Sequence, residues 1–498
     1  MFNKVLVANR GEIAIRVIIA CQEMGIKTVA VYSKVDSKAP HVNLADEAVN
    51  LGDPTPSESY LNIEKIIEAA ESTGAEAIHP GYGFLAENPD FAQACEDSGL
   101  TFIGPKAKVI ALMGDKIKAK KTMEKADVPV IPGYHGLKQD TSILVKEGKK
   151  IGFPLLVKAV AGGGGKGMKI VHSEETLEES IESAKREAKS AFGNDMVFLE
   201  KYLDKPRHIE FQILADEHGN VIHLFERECS IQRRHQKIIE ETPSPVMTPQ
   251  LRKEMGEAAV KAAEAAGYTN AGTIEFMVDG NLNFYFMEVN TRLQVEHPIT
   301  EMTTGVDIVK WQLRIAAGEE LTLTQKSVSQ RGHALECRIY AEDPAHGFLP
   351  SVGVLEKVEM PVGPSIRNDA GIETGMEITP YYDPLLAKLI VCGENRNDSI
   401  NKMLWALSRY VVLGVTTNIP FLKKVLDHEA FRKGDITTHF IDTNFKDWAV
   451  QQKGLPLDAV IGLAVYDAMH PRREEVVRYK EPDPHSPWKH AGRWRIGV

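Results

Sequence analysis

The first 115 residues alternate short apolar runs with segments of helical spacing, and this alternation restricts the possible fold more than any other feature. In chain order, the clearest apolar runs and helical segments are 4–8, 11–24, 28–32, 61–72, 77–79 and 88–98. A strand–helix–strand rhythm of this kind is typical of a parallel sheet with helices on both faces. We therefore predict a doubly wound α/β domain over residues 1–115.

The pattern changes in the remainder of the chain. Two runs at 155–160 and 168–171 predict strands of a small α+β lid at about residues 130–203. From about residue 207, strand pairs joined by turn residues predict a large α+β domain with an antiparallel sheet. Residues 116–445 would hold the lid and this domain, and 446–498, rich in prolines and charges, read as a C-terminal tail or interface segment.

A glycine cluster separates the two strands of the predicted lid. Residues 162–165 are four consecutive glycines, and Lys158 and Lys166 supply positive charge around them. Backbone amides in such a loop approach phosphate oxygens closely, so a flap over ATP phosphates is our interpretation. The pattern lacks the Ser or Thr of a Walker A loop, and the strand on each side is wrong for a dinucleotide-binding turn. A flexible hairpin loop without a ligand is the simpler alternative.

A predicted hairpin around Asp279-Gly280-Asn281 brings two carboxylates together. With a two-residue turn, Glu275 on one strand and Glu288 on the other face the same side, as does Asn290. Converging carboxylates repel each other unless a cation lies between them, and oxygen ligands suit magnesium or manganese. A solvated acidic strand face is the alternative, which the neighbouring Phe284, Phe286 and Met287 make less attractive.

Polar residues continue at every second position beyond Asn290. Arg292 and Gln294 are suited to hold a small anion such as bicarbonate, and Glu296 is suited to be a general base. A strand with ordinary salt bridges would explain any one of these residues, but the density of the series favours a site.

Composition excludes several classes of function. The formal net charge of −10 argues against a broad nucleic-acid surface, and the chain has no apolar stretch of membrane-spanning length. The five cysteines are far apart, which argues against a disulfide framework or a zinc cluster. The opening residues read as a buried strand rather than a signal peptide, so we expect a cytoplasmic protein.

Seven motifs, in order over roughly residues 1–445, resemble biotin carboxylase, an ATP-grasp enzyme. They are Ala8-Asn-Arg-Gly-Glu12-Ile-Ala, His79-Pro-Gly-Tyr-Gly-Phe84, Met113-Gly-Asp-Lys116, the glycine loop, Arg207-His-Ile-Glu210, Gln232-Arg-Arg-His-Gln-Lys237 and Glu288-Val-Asn-Thr-Arg-Leu-Gln-Val-Glu-His297. The resemblance implies three parts: a doubly wound N-terminal domain, a mobile lid and a large C-terminal domain. It also implies an ATP- and bicarbonate-dependent carboxylation of biotin through carboxyphosphate.

The resemblance further implies the roles of individual residues. The metal ligands are Glu275 and Glu288, with Asn290 nearby. The catalytic residues are Glu296 as the base, Lys237 and Arg292 for bicarbonate, and Arg338 for the biotin enolate. Gln294 and the Val295 backbone also bind bicarbonate, and Tyr82 lies at the biotin site. The expected ATP contacts are Lys116, Lys158, Gly163, Gly164, Gly165, Lys166, Gly167, Met168, Glu200, Lys201, Leu203, His208, Gln232 and His235.

The expected partners follow from the same resemblance. The sequence contains no Ala-Met-Lys-Met segment of the kind that carries biotin, so biotin is expected on a separate carrier and carboxyltransferase subunit. The family predicts a homodimer. The tail resembles that of the ATP-dependent subunit of two-subunit pyruvate carboxylases, and Trp448, Trp488 and Trp494 could either anchor an interface or pack on their own domain. The ATP-dependent component of acetyl-CoA carboxylase, another ATP-grasp ligase, an NAD-linked oxidoreductase and a non-catalytic nucleotide-binding subunit remain alternatives.

Overall fold

The computed structural model describes residues 1–159, 168–234, 236–446, 448 and 457–469. The chain divides into two compact units, residues 1–448 and 449–498. Within the second unit, the described residues form helix α16 (Leu457–Met469). None of the helices in the described part of the chain has the length and apolar character that a membrane span requires.

The N-terminal part of the first unit is a parallel sheet with the strand order β3-β2-β1-β4-β5. Its strands are β1 (Lys4–Val7), β2 (Lys27–Ser33), β3 (Glu47–Gly52), β4 (Ala77–His79) and β5 (Thr101–Phe102). Its helices are α1 (Gly11–Glu23), α2 (Pro40–Leu44), α3 (Ile63–Thr73), α4 (Pro89–Asp97) and α5 (Ala107–Gly114).

Alternate residues of the central strand β1 enter two different apolar cores. Val5 and Val7 pack in the core that includes α1, whereas Leu6 packs in the core that includes α3 and α4. Side chains of a strand alternate between faces, so this arrangement requires helices on both sides of the sheet. The prediction of a doubly wound sheet is confirmed.

A small four-stranded antiparallel sheet follows, with the order β6-β9-β7-β8. Its elements and the helix before it are α6 (Lys116–Lys125), β6 (Gly133–Tyr134), α7 (Thr141–Ile151), β7 (Leu155–Ala159), β8 (Met168–Val171), α8 (Leu177–Phe192) and β9 (Val197–Lys201). It has an apolar core of its own, to which Leu144, Val157 and Ile181 contribute. The two strands predicted on either side of the glycine loop are antiparallel neighbours.

The largest element is an eight-stranded antiparallel sheet with the order β14-β13-β10-β11-β12-β15-β22-β20. Its first strands and adjacent helices are β10 (Arg207–Ala215), β11 (Val221–Arg233), β12 (Gln236–Thr242), α9 (Pro249–Ala266), β13 (Asn270–Val278), β14 (Phe284–Asn290), α10 (His297–Thr304), α11 (Ile308–Ala316) and β15 (His333–Tyr340). The later elements are β16 (Glu342–Asp343), β17 (Leu349–Pro350), β18 (Gly353–Val354), β19 (Lys357–Glu359), β20 (Ile366–Ala370), β21 (Glu377–Ile378), β22 (Leu385–Gly393), α12 (Arg396–Leu407), β23 (Val411–Leu413), α13 (Ile419–Asp427), α14 (Glu429–Lys433) and α15 (Phe440–Asn444).

The two faces of this sheet have opposite character near its middle. On β10, Ile209, Phe211 and Ile213 point into an apolar core, so His208 and Glu210 point to the other face. The same alternation on β15 buries Leu335, Cys337 and Ile339 in a second apolar core and leaves Glu336 and Arg338 on the opposite side. One face of the large sheet therefore carries a row of buried ionisable side chains.

Candidate active site

Three glutamates occupy adjacent positions across the first strands of the large sheet. Glu210 on β10 pairs with Glu275 on β13, and Glu275 pairs with Glu288 on β14. Glu210 and Glu275 are buried and Glu288 is half-buried. Burial and the nearby Glu275 carboxylate both raise the pKa of Glu288 above its ordinary value. This edge of the site therefore favours a cation.

The hairpin that carries Glu275 and Glu288 differs from the predicted two-residue turn. The strands end at Val278 and resume at Phe284, so five residues form the loop. Asp279 holds this loop, because its carboxylate accepts hydrogen bonds from the backbone N–H groups of Asn281 and Asn283, both at 2.9 Å. A bulge between Glu275 and Phe276 shifts the register by one residue, and the two glutamates lie directly opposite each other on the same face.

A single ammonium group joins three buried carboxylates. Lys237 Nζ donates to Glu210 Oε2 at 2.5 Å, to Glu275 Oε1 at 2.7 Å and to Glu296 Oε1 at 2.7 Å. Burial alone would lower the pKa of Lys237, but the three carboxylates raise it well above its ordinary value. Lys237 is therefore a permanent cation, and we refer to it and these three glutamates as the Lys237 cluster.

Glu296 is held from its other side by Arg338. Arg338 Nη2 lies 3.0 Å from Glu296 Oε2, and Arg338 Nε lies 2.6 Å from Glu240 Oε1. Burial opposes ionisation of Glu296, yet Lys237 and Arg338 hold its pKa well below the ordinary value. Burial raises the pKa of Glu240 to about 7, although Arg338 acts in the opposite direction. Glu296 is thus an ionised carboxylate between two cations.

A second arginine lies behind the Lys237 cluster. Arg227 is fully buried and donates to Glu210 Oε1 at 2.6 Å, and its other N–H groups donate to Gln212, Thr300 and Thr273. Burial without these partners would be costly for a guanidinium. Its contacts orient Glu210 toward Lys237, and so Arg227 supports the cluster from beneath.

The residues after β14 are not on a strand, so the alternative of a strand with ordinary salt bridges does not account for the polar series up to Glu296. β14 ends at Asn290, and residues 291–296 form an irregular connection to α10. The predicted polar residues nevertheless lie together: Arg292 Nη2 is 3.2 Å from Asn290 Oδ1, and Arg292 Nη1 is 3.1 Å from Gln294 Oε1. Gln294 Nε2 in turn donates to Glu275 Oε1 at 3.2 Å.

Arg292 also contacts the N-terminal part of the chain. Its Nε lies 2.7 Å from Glu87 Oε2, and the same carboxylate accepts a hydrogen bond from the backbone N–H of Thr291 at 3.1 Å. Glu87 was not among the predicted site residues, since it follows the motif ending at Phe84 with no pattern of its own. The contact places the guanidinium next to Gln294, in an arrangement suited to a small anion.

The donors near Glu275 fit a magnesium or manganese ion. Glu275 and Glu288 supply carboxylate oxygens, and the buried Nδ2 of Asn290 has no hydrogen-bond partner among the described residues. Because this NH₂ group is a hydrogen-bond donor, it calls for an acceptor oxygen beside it, such as that of a phosphate, while the metal would be held by the carboxylate oxygens. His208 Nε2 is 2.9 Å from Glu275 Oε2; burial opposes its protonation, but Glu275 raises the pKa of His208 above its ordinary value.

The residues expected to contact ATP fall into two groups. Lys116 lies beside Glu288 and Asn290 in the lining of a cavity of about 220 Å³. In the small sheet, Glu200 accepts hydrogen bonds from Lys158 and forms an ion pair with Lys120, and His135 Nε2 lies 3.1 Å from it.

The remaining expected ATP contacts differ in exposure. Leu203, His208 and Gln232 are buried, whereas Lys201 and Met168 are exposed. Gln232 Nε2 lies 3.4 Å from His208 Nδ1. The predicted contacts Gly163, Gly164, Gly165, Lys166, Gly167 and His235 lie outside the described residues, as do Trp488 and Trp494 of the tail.

Tyr82 lies next to Glu12 and Lys388. Its hydroxyl donates to Glu12 Oε1, and Lys388 Nζ lies 5.9 Å from the centre of its ring. Four buried charged residues in this part of the large sheet were not predicted from the sequence: Arg227, Glu240, Glu336 and Lys388. A charged residue inside an apolar strand segment, as in Leu386-Ala387-Lys388-Leu389-Ile390, could have indicated such a residue.

Family models match most of the chain. The biotin carboxylase N-terminal domain matches residues 1–110, the ATP-binding domain of the carbamoyl-phosphate synthase L chain matches 115–324, and the biotin carboxylase C-terminal domain matches 336–443.

Curated relatives agree with these models. A pyruvate carboxylase subunit of Methanothermobacter thermautotrophicus is 58% identical over 442 residues, which are 89% of this chain and 90% of that protein. A biotin carboxylase of Nostoc is 53% identical over 440 residues, covering 88% of this chain and 98% of that protein. The chain spans only 61% of the length of the methylcrotonoyl-CoA carboxylase α subunit of Arabidopsis thaliana, to which it is 54% identical.

A solved structure matches over the same range. The biotin carboxylase domain dimer of Hydrogenobacter thermophilus 2-oxoglutarate carboxylase, in complex with MgADP, ADP and bicarbonate, superimposes with a TM-score of 0.83 at 52% identity. The match covers 89% of this chain and 98% of that one.

Proposed function

The chain belongs to the biotin carboxylase family, and on this basis we propose that it uses ATP and bicarbonate to carboxylate biotin on a separate carrier subunit. The observation that carries the proposal is the Lys237 cluster, in which Glu296 lies between Lys237 and Arg338 at 2.7 and 3.0 Å. A buried, ionised carboxylate beside two cations can take a proton from an anion that the same cations attract.

In the first step, bicarbonate would bind near Arg292, Gln294 and the Val295 backbone and compete with Glu296 for Lys237. Each cation contact that bicarbonate takes raises the basicity of Glu296. Glu296 then accepts the bicarbonate proton, and the resulting oxygen attacks the γ-phosphorus of ATP. The bond from that phosphorus to the bridging oxygen of ADP breaks, which gives carboxyphosphate and ADP.

Glu275, Glu288 and Asn290 would hold the metal in this proposal. Magnesium, when bound, neutralises charge on the phosphate oxygens during phosphoryl transfer. Lys116, beside Glu288, and Lys158, on β7 of the small sheet, would add positive charge.

In the second step, Arg338 would stabilise the negative charge that develops on the ureido oxygen of biotin. The ring nitrogen gives its proton to the departing phosphate and forms a bond with the carboxyl carbon, while the bond from that carbon to the phosphate oxygen breaks. Burial alone would lower the pKa of Arg338, but Glu240 and Glu296 raise it well above its ordinary value. Arg338 therefore stays positively charged, which suits it to this role.

The experiment that tests the proposal is a coupled assay of ADP release by the purified chain. We expect turnover only with both bicarbonate and a divalent metal, and faster turnover when free biotin is added. ATP binding without bicarbonate-dependent turnover would instead support a non-catalytic nucleotide-binding subunit.

We further propose that the acceptor is pyruvate, supported by the 58% identity to the Methanothermobacter pyruvate carboxylase subunit over nearly the full length of both chains. The biotinylated carrier and carboxyltransferase would be a partner subunit, so a streptavidin blot of this polypeptide should be negative. Oxaloacetate formation by the mixture with the copurifying partner would support pyruvate. Malonyl-CoA from acetyl-CoA would overturn that choice and leave the biotin carboxylase chemistry intact.

We also propose a homodimer in the cytoplasm. The related Hydrogenobacter thermophilus domain was solved as a dimer, which supports the first part. All five cysteines are free thiols and four of them are buried, as is usual in a reducing compartment. Light scattering of the purified chain would measure its molar mass and test the dimer.

A further inference from the structure

Lys388 is a fully buried lysine next to residues 292–295, the segment proposed to bind bicarbonate. It lies on β22 between Arg338 on β15 and Asp369 on β20, with which it is paired across the strands. Its Nζ lies 3.2 Å from Glu12 Oε2 and 3.6 Å from Asp369 Oδ2. Burial would lower the pKa of Lys388, but these carboxylates raise it above the ordinary value.

The third contact of this ammonium group goes to the backbone. Lys388 Nζ donates to the carbonyl oxygen of Val295 at 2.9 Å. This contact has the length of a hydrogen bond, whereas the contacts to Glu12 and Asp369 at 3.2 and 3.6 Å are longer ion-pair contacts. Because the Val295 carbonyl belongs to the peptide group that joins Val295 to Glu296, Lys388 fixes the orientation of the backbone at the proposed base.

The preceding peptide group is fixed as well. His297 Nδ1 lies 2.8 Å from the carbonyl oxygen of Gln294, and burial lowers the pKa of His297 well below its ordinary value, so the ring is neutral. A neutral ring that meets a carbonyl oxygen at Nδ1 carries its proton there. The peptide groups on both sides of Val295 are thus held by side chains, in a segment without regular secondary structure.

Helix α1 takes part in the same arrangement. Glu12, at the start of α1, contacts Lys388 through Oε2 and accepts a hydrogen bond from Tyr82 through Oε1. The N-terminal domain, through Glu12, therefore positions the lysine that orients the carbonyl of Val295.

We propose that Lys388 is a positioning residue of the bicarbonate site, which acts through the Val295 carbonyl to aim the 294–296 backbone at the anion. The inference rests on the proposed function, because it assigns bicarbonate to this segment. It adds a residue on β22 that does not touch the reacting atoms itself.

Lys388→Met tests the inference, since methionine keeps the length of the side chain and removes all three donors. We expect the KM for bicarbonate to rise on the order of tenfold or more, because a small misplacement of positioning groups has a large effect on turnover. The equilibrium Kd for ATP should stay within about twofold, because Lys116, Lys158 and Glu200 lie on other elements.

The substitution also leaves the carboxylates of Glu12 and Asp369 without their common cation, which destabilises the folded state. The double variant Glu12→Gln/Lys388→Met removes one of the two buried charges. The new glutamine side chain can still accept from Tyr82, and Asp369 retains Arg367, with Nε to Oδ1 at 2.7 Å. We expect the double variant to recover thermal stability but to keep the raised KM for bicarbonate.

Lys402→Met is the matched control. Lys402 Nζ also donates to a backbone carbonyl, that of Cys392 at 2.6 Å, but at the far end of β22. This variant should keep the wild-type KM for bicarbonate.

The outcomes distinguish a failure of the proposed role of Lys388 from a failure of the proposed function. If the double variant has the wild-type KM for bicarbonate, or if its affinity for ATP falls by the same factor as its affinity for bicarbonate, the proposed role of Lys388 is refuted. Bicarbonate-dependent turnover by the wild-type protein would still support the proposed function. Absence of bicarbonate-dependent turnover in the wild type would refute the proposed function, and the role of Lys388 with it.

Discussion

Glu296→Gln removes the proposed base with the smallest change in shape. The side chain is fully buried, so the consequence can be worked out from its two contacts. The amide oxygen of glutamine can still accept from Lys237, but its NH₂ group then faces the N–H of Arg338, where two donors meet. One charge-assisted hydrogen bond is lost outright and the other becomes a bond to a neutral acceptor.

The expected magnitudes differ for stability and for catalysis. Removing one partner from a buried ion network lowers the free energy of unfolding by about 3–5 kcal/mol. Loss of a general base lowers the rate about 10²- to 10⁴-fold, which corresponds to about 2.7–5.4 kcal/mol in the activation free energy. ATP affinity should be retained, because the proposed nucleotide contacts Lys116, Lys158 and Glu200 lie outside the Lys237 cluster.

Glu240→Gln distinguishes loss of a base from disturbance of Arg338. Glu240 is also fully buried and also accepts from Arg338, at 2.6 Å. Its substitution removes the same kind of hydrogen bond, but it reaches the bicarbonate region only through Arg338, so we expect a loss of less than about tenfold. Bicarbonate-dependent ADP release by both variants, with urea unfolding alongside, makes the comparison. Equal losses in the two variants, or near-normal turnover by Glu296→Gln, would refute the assignment of the base.

Three other predictions follow from the same contacts. Arg227→Met should lower the free energy of unfolding by about 3–5 kcal/mol in urea titrations, because it leaves the buried Glu210 without one of its two cations. The pKa of Glu296 is lowered below 4.5 in the folded state, so this carboxylate stabilises the protein fully above that pH and loses its contribution as the pH falls through the folded value. The difference in unfolding free energy between wild type and Glu296→Gln should therefore be constant from about pH 8 to pH 5 and shrink in more acidic solution. Glu288→Lys, like removal of the divalent metal by EDTA, should abolish turnover while far-UV circular dichroism stays unchanged; an unfolded variant would show that Glu288 is structural.

Local patterns were sufficient to predict the doubly wound sheet and to place Glu275 and Glu288 on the same face of a hairpin. The two residues share a face although the predicted turn length was wrong. Side chains alternate with a period of two, and the longer loop together with one bulge restores the register at Glu275. The polar alternation at residues 290–296 did not show whether this segment is a strand, because such alternation alone does not distinguish a strand from a connection whose side chains are held by tertiary contacts.

Sheet order was beyond the reach of local patterns. Glu240, Arg338 and Lys388 belong to the neighbouring strands β12, β15 and β22, although they are far apart in the sequence. β15 and β22 are mostly apolar, so Arg338 and Lys388 look like isolated exceptions until the order of the strands brings them next to other charges. β12 is mostly polar, so its sequence does not show which of its charges belongs to the site. Without the order of the strands, a buried lysine such as Lys388 has no identifiable partner.

The contacts of Lys237 also bear on how an anion can enter a buried site. The Lys237 cluster and its neighbours contain Glu210, Glu275, Glu296 and Glu240 against Lys237, Arg227 and Arg338, with His208 adding a fourth cation when it is protonated. These charges already satisfy one another, so bicarbonate does not fill an unpaired positive pocket. In the proposed mechanism it would instead exchange with an internal carboxylate. Because Lys237 divides its donors among three glutamates, transfer of one donor to bicarbonate would leave two of those contacts in place, and the glutamate released in the exchange would be Glu296, the proposed proton acceptor.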